Sequence, residues 1–83
     1  MEKEQIVKKV KEIIISSLDL KIQPEEIVGE DLINEVGINS IDALEIFVWI
    51  ENEFDIEIED EDLSDQLIAS VDGLADYIIK RKM

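Results

Sequence analysis

The chain has no cysteine and no histidine. The first absence excludes a disulfide framework and thiolate chemistry. The second removes the commonest general base and the commonest metal ligand. Long hydrophobic runs are missing as well: the longest, Ile46 to Ile50, is far too short to span a bilayer. The N-terminal MEKEQIVKKVKEIII alternates charge with apolar residues and has no continuous apolar segment of the signal-peptide kind. These features predict a soluble, cytoplasmic protein with no membrane insertion.

Positive charge is scarce and confined to the ends. The basic residues are Lys3, Lys8, Lys9, Lys11, Lys21, Lys80, Arg81 and Lys82. None lies between Ile22 and Ile79, where 18 acids fall, and the formal net charge is −14. Such a region repels phosphate backbones and anionic membranes, which argues against nucleic acid as a partner. A basic protein surface is its natural complement, because opposite potentials steer encounter. The plainer alternative is acidity for solubility.

Apolar residues are plentiful. They make up 46% of the 83 residues, too many for a disordered chain and enough for one modest core. Residues 1–83 therefore read as a single domain. In the first segment Ile6, Val7, Val10, Ile13, Ile14 and Leu18 recur at helical spacing. From Asp19 to Asn39 the pattern changes. Pro24 starts a turn, Pro24-Glu25-Glu26 suits one short helical turn, and Gly29 and Gly37 punctuate the remainder. Ile22, Ile27, Val28, Leu32, Ile33 and Val36 are expected to anchor this long connection to the core.

Ser40 to Phe54 predicts a second helix with two apolar stripes. Ala43, Ile46, Phe47, Ile50 and Phe54 form one; Ile41, Leu44 and Val48 form the other; Trp49 sits off both. One small domain buries one stripe fully, so the other must be partly exposed or covered. Asp55 to Asp62, DIEIEDED, alternates like a strand but has no partner strand of similar quality, so it predicts an extended loop. A calcium loop is a poor fit: Asp60 stands where the turn glycine is needed and Gln66 where the bidentate glutamate should be. A last helix starts after Ser70, a good N-cap, and carries Val71, Leu74, Ala75 and Ile78 on one face. The expected fold is all-α: a small bundle of three main helices near 3–18, 40–54 and 71–81, one short helix near 60–66, and a long first loop.

Ser40 is the chemically suggestive residue. Capping accounts for it as a pattern, since Asn39 or Ser40 suits an N-cap and Asp42 favours the positive helix start. A functional role requires an exposed hydroxyl beside backbone N–H groups that welcome a phosphate. No histidine exists and no basic residue lies near it in sequence, so this chain cannot activate Ser40 as a nucleophile. Any chemistry at Ser40 must be installed by another protein.

The segment Asp31-Leu32-Ile33-Asn34-Glu35-Val36-Gly37-Ile38-Asn39-Ser40-Ile41-Asp42-Ala43-Leu44-Glu45-Ile46 resembles the signature of acyl carrier proteins. The likeness continues through Glu51-Asn52-Glu53-Phe54-Asp55-Ile56-Glu57-Ile58 and Asp76-Tyr77-Ile78, so it covers nearly the whole chain. It implies an acyl-carrier-like bundle and a discrete, monomeric carrier rather than an enzyme. It also implies that Ser40 bears 4′-phosphopantetheine, whose thiol carries acyl groups for fatty-acid or related biosynthesis. Implied partners are a phosphopantetheinyl transferase and acyl-transfer and synthase enzymes with basic surfaces. Ile41, Leu44 and Val48 would meet shallow pockets on them, rimmed by Asp42, Glu45 and Glu51, and the bundle would shelter the acyl chain. Asn39 in place of the usual aspartate, Asn52, the bulky Phe47 and Trp49, and Glu59 where proline is frequent also suit an aminoacyl or polyketide carrier. Outside that class, the same pattern fits an unmodified acidic adaptor that docks through Ile41, Leu44 and Val48.

Self-repulsion among so many acids should limit stability. Raising salt across roughly 0.1–1 M, around and beyond the screening length, is expected to raise the melting temperature, and millimolar divalent cation should do the same. A flat or falling response in thermal unfolding would remove self-repulsion as the limit.

Overall fold

A computed structural model describes residues 2–82. Five α-helices run in order: α1 (Lys3–Leu18), α2 (Leu32–Val36), α3 (Ser40–Phe54), α4 (Asp65–Ile68) and α5 (Val71–Lys82). Single 3-10 turns lie at Pro24–Glu26 and Asp60–Asp62. The long helices end where the pattern expects. Ser70 caps α5, its hydroxyl accepting from Gly73 N at 2.9 Å. Asp19 and Asp55 close α1 and α3 in the left-handed conformation, both at φ 53°. DIEIEDED is extended loop up to the Asp60 turn, with no strand among the described residues.

Helix α1 packs on both α3 and α5. It contributes Ile6, Val10, Ile13 and Ile14 to the core. Helix α3 adds Ile46, Phe47, Ile50 and Phe54, and α5 adds Val71, Leu74, Ala75 and Ile78. Each large aliphatic side chain buried this way contributes about 1.5–3 kcal/mol. No charged or polar residue is buried among the described residues. Their acids therefore all lie at the surface or its edge.

Two local expectations need correction. The stretch expected as one short helix near 60–66 splits into the Asp60–Asp62 turn and α4, a single helical turn that begins at Asp65. Ser64 separates them because its hydroxyl caps α4, accepting from Leu67 N at 3.3 Å. Within the first loop, Ile27 and Leu32 do anchor, at 1% and 0% exposure, whereas Val28 points outward at 72%. An extended chain alternates its faces, so neighbours Ile27 and Val28 cannot both face the core.

The long loop is held by backbone and carboxylate. Gly29 O accepts from Val71 N at 2.9 Å, and Ala69 O accepts from Leu32 N at 2.8 Å. The Glu35 carboxylate reaches back to accept from Val28 N at 2.7 Å and Gly29 N at 2.9 Å. These bonds fix where α2 starts. Helix α2 stops at Gly37, φ 72°, and both Gly37 N and Ile38 N return to Ile33 O. Ile38 then inserts into the core and sets the start of α3.

Gly29 has φ 84°, and a Cβ there would lie 2.9 Å from Cγ2 of the buried, stiff Val71. Gly37 has φ 72° but open space around it. Gly37→Ala should cost about 1–2 kcal/mol from the left-handed backbone alone. Gly29→Ala should lose roughly 1–3 kcal/mol more through overpacking. Urea unfolding of the two variants checks this, and equal losses would contradict the close approach to Val71.

Candidate functional site

Ser40 is the first residue of α3, and Asn39 is its cap. The Asn39 side-chain oxygen accepts from Asp42 N at 2.8 Å, and the Asp42 carboxylate accepts from Asn39 N at 3.4 Å. This reciprocal capping box settles which of the two residues caps. It leaves the Ser40 hydroxyl out of the cap, on an exposed residue. The first N–H groups of a helix have no intrahelical acceptor, and the helix dipole adds partial positive charge there. An amide oxygen accepts as a carboxylate oxygen would, so asparagine keeps the cap while removing one negative charge beside Ser40.

The two apolar stripes of α3 separate cleanly. Ile46, Phe47, Ile50 and Phe54 go inward. Ile41, Leu44 and Val48 stay 76%, 56% and 53% exposed, and Trp49 is also exposed. The hydroxyl of Ser40 and this apolar face thus belong to one solvent-facing side of a single helix. Glu45 is exposed beside it. Asp42 is half-buried and engaged in the cap. Glu51 is half-buried, and one of its carboxylate oxygens accepts from Ile58 N at 3.0 Å. It staples the turn after α3.

A groove of about 210 Å³ opens beside Ser40, lined by Ser40, Ala43, Leu44, Phe47, Leu63, Ser64 and Asp65. Phe47, 4% exposed, forms its floor, and Leu63 to Asp65 form the opposite wall. The floor is apolar and the rim polar, so the groove suits an apolar chain attached at the helix start.

That wall is tied to α5. The Tyr77 hydroxyl donates to Asp62 Oδ2 at 2.7 Å and accepts from Glu59 N at 3.4 Å, while Arg81 Nη2 meets Glu59 Oε1 at 3.1 Å. Burial of the phenol, then its hydrogen bond to the Asp62 carboxylate, raises the Tyr77 pKa above the ordinary tyrosine value. Tyr77 showed in the sequence only as part of the family likeness; its bond to Asp62, fifteen residues away, had no local signal.

Other acids are paired at the surface: Lys3 with Asp72 and Asp76, and Lys9 with Glu53. Among the described residues no three acidic side chains converge as metal ligands. None of the described helices is long and apolar enough to cross a membrane.

Known proteins share this pattern along the whole chain. Residues 8–78 match a family model described as a phosphopantetheine attachment site. An acyl carrier protein of Chlorobium phaeobacteroides is 38% identical over 84 residues, covering 98% of this chain and 100% of the relative. Acyl carrier proteins of Chlorobium phaeovibrioides and Chlorobium luteolum are each 37% identical with the same coverage.

The Tyr77 shift has a defined sign. Its neutral form is favoured by the fold, so the associated stability is fully present below the unfolded tyrosine pKa of about 10. It is lost as pH rises through the higher folded value. An absorbance titration of this one tyrosine should show ionisation above pH ~10; ionisation at or below that value in the native protein would contradict the hydrogen bond to Asp62.

Proposed function

The chain belongs to the acyl carrier protein family, and from that premise we propose that Ser40 is the hydroxyl on which 4′-phosphopantetheine is carried. The observation that carries this reading is the division of labour at the start of α3. Asn39 and Asp42 close the cap between them, so the Ser40 hydroxyl is exposed without a structural duty. A phosphodiester at that oxygen meets the unpaired N–H groups and positive dipole end of a helix 15 residues long. The thiol at the end of the arm supplies the thioester chemistry. This chain supplies no acid, base or nucleophile to it; its residues hold, orient and shelter.

Each has a role set by placement. Leu44, Phe47 and Leu63 offer an apolar lining to cargo next to the attachment point. Ile41, Leu44 and Val48 offer apolar contact to partner enzymes, with Asp42, Glu45 and the remaining oxygen of Glu51 facing partner lysines and arginines. Single exposed ion pairs contribute about 0–1 kcal/mol, so recognition is collective and weakens with salt. The transferase that installs the arm and the synthases that use it would share this basic, apolar-socketed character. We place the working protein in the cytoplasm as a monomer, since a formal charge of −14 opposes self-association. The unmodified adaptor reading loses its ground to the family match over residues 8–78.

Incubation with a phosphopantetheinyl transferase and coenzyme A should add the mass of one phosphopantetheine arm. Ser40→Ala should abolish the addition, while leaving the fold intact because the cap belongs to Asn39. An arm that still appears on Ser40→Ala, or none on the parent protein with several transferases, would overturn the assignment.

A further inference from the structure

The segment from Glu59 to Ile68 stands between two hollows. One is the groove beside Ser40, whose wall it forms with Leu63, Ser64 and Asp65. The other is a cleft of about 430 Å³ on the α5 side, bordered by Asp62, Ser64, Leu67, Gly73 and Tyr77 among others. Ser64 borders both. The segment has little backbone structure of its own, only the Asp60–Asp62 turn and the single turn of α4. Buried Ile58 and Ile68 fix its two ends, whereas Leu63 and Leu67 between them are half-buried. Its middle is held to α5 by the Tyr77–Asp62 bond, seconded by Glu59 N on the same phenol oxygen and by Arg81 on Glu59.

The groove is small. At about 210 Å³ it falls below the ~300–1,000 Å³ of pockets that enclose drug-sized ligands. Its floor is Phe47, part of the packed core, where deepening would disturb close packing. Displacement of the wall is the less disruptive source of room, and the cleft on the α5 side gives it space to move.

We infer that Tyr77 is a positioning residue for cargo: by pinning Asp62 it holds the groove to the size of a short acyl group, and long acyl chains enter only when that pin opens. This rests on the carrier reading of Ser40. A cargo that fits only the open wall must overcome whatever favours the closed one, so removing a closed-state bond shifts the balance toward shelter of long chains. Short cargo fits without opening and should be indifferent to the pin.

The test loads acetyl- and decanoyl-phosphopantetheine onto the protein from the acyl coenzyme A thioesters with a phosphopantetheinyl transferase, which releases adenosine 3′,5′-bisphosphate. Thioester cleavage by hydroxylamine is then timed for the parent, Tyr77→Phe, Asp62→Ala and Asp62→Asn. In Tyr77→Phe and Asp62→Ala, decanoyl cleavage should slow roughly fivefold relative to acetyl, the factor for a bond of about 1 kcal/mol. Asp62→Asn still accepts from the phenol and should stay near the parent ratio. Should Tyr77→Phe fold poorly by circular dichroism, Asp62→Ala at the half-buried rim carries the test. An unchanged decanoyl-to-acetyl ratio in both, or an equal change for the two cargoes, overturns the inference. Failure of the parent protein to accept any acyl arm would overturn the Ser40 assignment instead, and the inference with it.

Discussion

One constraint organises this molecule: α3 carries two apolar stripes and the domain has one core. Packing against α1 and the rest of the bundle buries Ile46, Phe47, Ile50 and Phe54. Ile41, Leu44 and Val48 must then face water, because residues on the opposite side of the same helix cannot share that burial. The exposed face, the accessible Ser40 hydroxyl and the groove over Phe47 all stem from that one choice of side. Leaving these three apolar residues largely in solvent forgoes part of the about 1.5–3 kcal/mol that full burial of each would contribute, a sacrifice for which the proposed partner surface would give a reason.

The acids show how a chain of net charge −14 holds together. Several do not simply face solvent. Glu35 and Glu51 reach along the chain to accept backbone N–H groups of loops, at Val28 and Gly29 and at Ile58. Asp42 closes the cap at Asn39. Carboxylates accept such bonds well, and charge-assisted bonds are shorter and roughly twice as strong as neutral ones. The acidic composition is therefore partly a means of fixing loops in a domain with few glycines and one proline. Glu45, by contrast, stays exposed at the surface.

The site contains positioning and no bond-making group. Gly37 and Ile38 aim the start of α3, Asn39 takes the cap, and Ser40 is left available. On the other side of the groove a thin wall rests on two buried isoleucines and a phenol–carboxylate bond. A carrier that shelters cargo in this groove, as proposed, would need this combination, since it must hold cargo away from water and also release it to other proteins. A rigid pocket would satisfy only the first need.

The helical periods of α1, α3 and α5, the turn at Pro24, the cap at Ser70 and the prominence of Ser40 were legible in the amino-acid sequence. Each depends on residues within about a turn of one another, and local sterics and hydrogen bonding decide such features. The split of the 60–66 stretch at Ser64, the outward turn of Val28 and the cap falling to Asn39 rather than Ser40 were not legible, because at each point neighbouring residues offered alternatives that the pattern alone left open. Helix α2 with the Glu35 carboxylate on Val28 and Gly29, Glu51 stapling Ile58, and Tyr77 finding Asp62 join residues more than a turn apart, beyond the reach of local signals. Sequence alone determined that α3 has two faces and a serine at its head. Only the tertiary structure decided which face is inside, because burial is a property of the whole core and no single helix contains it.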